Sequence, residues 1–158
     1  MDRFNSIIDT IASAIEWLVA ILLAVLISIT AVQVFNRYFL QFSYAWAEEL
    51  SKLIFFYLVF LGGALAINKG TFSAFELYKL MRVEWQKNIQ IFIWLLILCF
   101  QVVAAFYGGV MVSLTTTQIT PALEISQAFA YGAIPFGMVF MILMTVHKLM
   151  HELQGEGS

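Results

Sequence analysis

Ionisable side chains are scarce in this chain, and those that could do chemistry stand in three places. The first holds Arg37, Glu48, Glu49 and Lys52, with Trp46 beside them. Two adjacent carboxylates can bind a cation or a proton when unpaired, or neutralise cations nearby. Here the set is self-neutralising, and Glu48 and Lys52, four apart, share a helix face. The second is Glu16, next to Trp17 at the start of an apolar run. A proton-coupled exporter would need a carboxylate in such a helix, but this one reads as interfacial rather than mid-membrane. The third is His147 and His151, four apart, a spacing that can hold a metal. With no Cys nearby and only Glu152 adjoining, they read as a solvated helix end. The single cysteine, Cys99, lies in an apolar run, so it makes no internal disulfide and reads as a small filler. The chain shows no Gly-rich phosphate loop and no Ser/His/Asp set. It is expected to be no enzyme and to carry no cofactor or metal. A net charge of −2 without a basic run argues against nucleic acid as a partner.

The elements that would position these residues are set by the solvent. The 158 residues are 62% hydrophobic and 11% charged, with a mean hydropathy of +0.90. Soluble domains are about 45–50% apolar and about 25% charged, so lipid is the solvent here. Charge-free runs extend over Trp17 to Asn36, Ile89 to Ile119 and Ile125 to Val146. Each is long enough for a core of about 30 Å. A fourth run, Leu53 to Asn68, reaches only about 24 Å as a helix. The expected fold is an all-α integral membrane protein, one membrane domain over 1–158. Its four transmembrane helices are expected at about 4–39, 44–68, 88–115 and 125–150. The acidic N-terminus is not a signal peptide and is expected to be retained.

Four spans place both termini on one side. Arg3, Lys69, Lys79, Arg82, Lys87 and Lys148 fall on that side, against Arg37 and Lys52 on the other. Basic loops stay in the cytoplasm, so both termini are predicted there. After Gly70, apolar Phe72, Phe75, Leu77, Leu80, Met81 and Trp85 mix with Glu76, Lys79, Arg82, Glu84 and Lys87. This predicts a short amphipathic helix at about 72–86 in the inner interface, anchored by Lys69, Lys79, Arg82 and Lys87.

A full second span must start near Glu49, which draws the charge cluster to headgroup depth. Charges there are costly unless paired. One glutamate is therefore expected to pair with Arg37 across the first hairpin, and the other to face a partner protein. Small residues at Gly62, Gly63, Gly108, Gly109, Gly132 and Gly137 predict close helix packing, with one another or with a partner subunit. Pro121 closes the third helix and Pro135 is expected to bend the fourth. Gln33 and Gln101 are the main polar side chains of the first and third spans and can bridge helices.

These landmarks resemble the small, Q-type membrane subunit of the tripartite ATP-independent periplasmic (TRAP) transporters. The residues that carry the resemblance are Asn36-Arg37-Tyr38, Trp46-Ala47-Glu48-Glu49-Leu50, Phe60-Leu61-Gly62-Gly63-Ala64-Leu65-Ala66 and Lys69-Gly70. Later come Thr120-Pro121-Ala122-Leu123, Tyr131 and Ile134-Pro135-Phe136-Gly137. The chain departs from the family at Phe72 and Glu76, where a histidine and an aspartate are common. The resemblance implies an inner-membrane scaffold that binds a large, M-type transport subunit. It implies further that a periplasmic protein delivers an organic acid, imported on a sodium gradient. A self-sufficient four-helix exporter and a membrane anchor of a redox enzyme are the competing readings. The first has only Glu16 to work with, and the second lacks histidines within the spans.

Overall fold

Lipid offers the backbone no hydrogen-bond partners, so apolar runs satisfy themselves as helices. The computed structural model describes the backbone of residues 2–70 and 83–154, and the side chains of 8–70 and 88–150. Helix α1 (Asp2–Phe35) runs into a π-helical turn, Asn36–Leu40, that stops at Gln41 with φ 52. Helix α2 covers Ala45–Asn68 and α3 covers Val83–Thr115. A short α4 (Ala128–Tyr131) leads into α5 (Ala133–Gln154). The segments Ile8–Leu40, Ala45–Asn68, Asn88–Thr115 and Ala128–Met150 are each long and apolar enough to cross a membrane. The chain is thus an all-α, four-span membrane protein. The interfacial helix expected at about 72–86 falls largely on 71–82, outside the described residues, and positions 83–86 already belong to α3.

Local chemistry sets the ends. Gly70 takes φ +66 and donates its N–H to Ile67 O at 3.1 Å, closing α2. Only glycine adopts that conformation without cost. Helix α3 stops at Thr115, ahead of the Thr120-Pro121 pair, and the Ser126 hydroxyl donates to Thr116 O at 2.8 Å. The last span is interrupted at Gly132, three residues ahead of Pro135. Proline has no N–H for the Tyr131 carbonyl, and helical bonding resumes with Phe136 N–H on Gly132 O at 3.2 Å.

The helices neighbour one another in the order α1, α2, α5, α3. Helices α1 and α2 run antiparallel: Gln33 meets Ser51 near one end and Glu16 meets Lys69 near the other. Helices α2 and α5 run parallel, with Phe60 against Gly137 and Gly63 against Met141. Helices α3 and α5 are antiparallel, Gly108 resting on Ile134 and Pro135. The main core cluster lies toward the termini end. Ile8, Ala12 and Ile15 of α1 join Leu61, Leu65, Ile67, Trp94 and Met144 there.

The glycines divide sharply. A Cβ on Gly137 would meet Phe60, one on Gly63 would meet Met141, and one on Gly108 would lie 2.7 Å from Ile134. These three hold the chain's own helices together. Gly62 and Gly109 face open space.

Candidate functional site

The charge cluster forms at the loop end, opposite the termini. Arg37 sits on the π-helical turn, and Trp46, Glu48, Glu49 and Lys52 lie on the first two turns of α2. Lys52 Nζ contacts Glu48 Oε1 at 2.7 Å, both side chains about two-thirds exposed at 66% and 65%. Such a pair adds little stability, because water screens it. Among the described residues neither carboxylate pairs with Arg37, contrary to the expectation above. The reason is local. Lys52 reaches Glu48 within a single helix, with no second element to order. Glu49, about 100° further round, points at a different part of the chain.

That part is the turn between α3 and α4. The Glu49 carboxylate accepts the Ala122 N–H at 3.1 and 3.2 Å and the Leu123 N–H at 2.8 Å. The turn is a small hairpin with an antiparallel bridge between Ile119 and Ser126. Thr120 N–H donates to Ile125 O at 2.8 Å, Gln127 N–H to Gln118 O at 2.8 Å, and Glu124 N–H to Thr120 O at 3.1 Å. Glu124 itself has φ 54, a left-handed conformation that costs roughly 1–2 kcal/mol outside glycine. Hydrogen bonds to an ionised carboxylate are worth about 1.5–3 kcal/mol each, enough to offset that strain. Pro121 lies in this hairpin. Glu49 and the Ala122-Leu123 pair, far apart in sequence, thus meet in space.

The other polar side chains bridge helices. Gln33 Nε2 donates to Ser51 Oγ at 3.0 Å, and Ser51 donates on to Ala47 O at 2.8 Å. Gln101 Nε2 donates to Thr145 Oγ1 at 3.0 Å, with both residues buried. Tyr57 donates its hydroxyl to Phe129 O at 3.0 Å, satisfying a carbonyl beside the break at Gly132. At the termini end Lys69 Nζ meets Glu16 Oε1 at 2.7 Å, both about half exposed. Glu16, the one carboxylate an exporter could have used, is therefore held by a cation of the neighbouring helix. His147 is partly buried rather than fully solvated. Lys79 and Arg82, and the side chains of Lys87 and His151, lie outside the described residues. Among the described residues no three His, Cys, Asp or Glu side chains gather as a metal site.

Sequence reasoning missed the Glu16–Lys69 pair and the reach of Glu49 to the turn. For the first, a signal existed: the Gln33–Ser51 and Glu16–Lys69 positions add to nearly the same number, as antiparallel neighbours do. For the second there was none, because its partners are backbone groups.

Beside the cluster a cleft of about 300 Å³ opens between α1 and the start of α2, lined by Val32, Gln33, Asn36, Tyr44 and Trp46.

Two comparisons with known proteins bear on this arrangement. Residues 26–155 match the family described as tripartite ATP-independent periplasmic transporters, DctQ component. The chain is also 28% identical over 144 residues to a protein of Haemophilus influenzae named a TRAP transporter small permease protein. That match covers 89% of this chain and 87% of the relative.

Proposed function

Since the chain belongs to the DctQ-component family of tripartite ATP-independent periplasmic transporters, we propose that it is the bracing subunit of a sodium-driven importer of organic acids. In this reading a large membrane subunit moves the solute and a periplasmic protein delivers it. The small chain binds the large one and widens the part of the complex that stays fixed in the bilayer. It performs no catalysis. It sits in the inner membrane with both termini in the cytoplasm, where Lys69, Lys79, Arg82 and Lys87 meet headgroups.

The observation that carries this reading is the use made of the amides within the spans. Gln33 and Gln101 each bind a second helix of the same chain. Solute carriers place polar groups at the midplane to hold their cargo, whereas these hold the bundle. Large apolar surface is left for a neighbour. No residue in the most apolar 18-residue stretch of α1 is buried, and Gly62 and Gly109 leave room for close approach.

Reconstitution tests the reading. The purified chain alone in liposomes should give no gradient-driven uptake of any carboxylate. Co-expressed with the large subunit, it should purify as a stable complex that takes up solute when the binding protein is added. Uptake by the isolated chain would remove the accessory role.

A further inference from the structure

The direction of the Glu49 carboxylate has a consequence for the loop end. Glu49 binds backbone groups 73 and 74 positions away. Among the described residues these are the hydrogen bonds that join the hairpin at 116–127 to α2. The hairpin contains a left-handed, non-glycine residue, Glu124, so its shape depends on support from outside. Its outward surface is formed by exposed Thr116, Thr117, Gln118, Pro121 and Glu124, with Ile119 as the one exposed large apolar side chain. A mostly polar surface of this kind suits a water-soluble partner better than lipid or a membrane helix.

We propose that Glu49 is a positioning residue that keeps this hairpin preformed for docking of the system's water-soluble solute-binding protein. The proposal rests on the accessory-subunit reading above. A carboxylate fits the task because both oxygens accept, and the two donors are successive backbone N–H groups. A preformed hairpin does not have to be ordered when the partner arrives, which lowers the cost of association. Exposed Glu124 gives the surface an acidic point that a basic side chain of the partner would meet.

The test uses the complete complex in liposomes, with the wild-type chain and with Glu49→Gln, Glu49→Ala and Glu16→Gln, the last at the opposite end of the bundle. Uptake per assembled complex is measured against binding-protein concentration, and hydrogen exchange is followed at the Ala122 and Leu123 amides. Glu49→Ala should speed exchange at both amides by about ten-fold or more. It should raise the half-saturating binding-protein concentration several-fold with little change in maximal uptake. Glu49→Gln keeps one acceptor oxygen and should fall between. Glu16→Gln should move neither quantity. Unchanged exchange in Glu49→Ala overturns the proposal. So does faster exchange with an unmoved half-saturating concentration, or a fall in maximal uptake alone, which would mark Glu49 as merely structural. A wild-type complex indifferent to the binding protein would defeat the accessory reading and the proposed partner together. It would be told apart because the exchange contrast at Ala122 and Leu123 would persist.

Discussion

Glu48 and Glu49 are adjacent and chemically identical, yet one rotation of about 100° gives them different surroundings. Glu48 faces water with Lys52, and Glu49 faces a hairpin of backbone donors. Glycines show the same dependence on direction. Gly137→Ala should destabilise the chain by about 1–3 kcal/mol, since the new methyl must displace Phe60 in a packed contact. Gly109→Ala meets open space and should leave the isolated chain's melting temperature unchanged. Thermal melts in detergent would separate the two, and equal shifts would contradict the packing. Gln101 and Thr145 form a buried interhelical bond. A double-mutant cycle with Gln101→Leu and Thr145→Val should return a coupling of about 0.6 kcal/mol, the usual worth of such bonds in lipid. A coupling of zero would mean that the two do not bind each other.

Among the elements, the last span depends on its interruption. Gly132 and Pro135 leave carbonyls without helical partners, and Tyr57 of α2 supplies a hydroxyl to Phe129 O. Tyr57→Phe keeps the ring against Phe136 and removes only that donor. It should cost about 0.5–1.5 kcal/mol, the net worth of one hydrogen bond, measured as a drop in melting temperature. Helix α1 is held differently. Among the described residues its links to α2 include one amide bond, the Glu16–Lys69 pair and the core residues at its start. Glu16→Gln should change stability by no more than about 1 kcal/mol, because the pair is half exposed. A large loss would show that this pair, rather than packing, seats α1.

At the scale of the whole molecule, α1 and α3 flank an α2–α5 centre and present broad apolar faces. Ile21, Ile27, Val32 and Val34 are exposed on one flank, and Phe92, Phe100, Phe106 and Val110 on the other. In a bilayer such faces are stable against lipid and available to a larger subunit. Reporters fused to each terminus should both signal from the cytoplasm. A terminus found outside would reverse the orientation, and the hairpin held by Glu49 would then face away from a periplasmic partner.

The sequence by itself determined the solvent, the spans and the kind of protein. Charge-free runs long enough for a bilayer leave the backbone one choice, and a few charged and small-residue motifs carry the family likeness. It did not determine which faces meet. In water an apolar stripe marks the buried side of a helix, but in lipid both sides are apolar and the stripe disappears. Five of the glycines therefore looked alike until packing sorted Gly63, Gly108 and Gly137 inward and left Gly62 and Gly109 open. The partner of Glu49 was likewise decided by tertiary structure. Backbone N–H groups are identical at almost every position, and only the fold brings Ala122 and Leu123 within reach of its carboxylate.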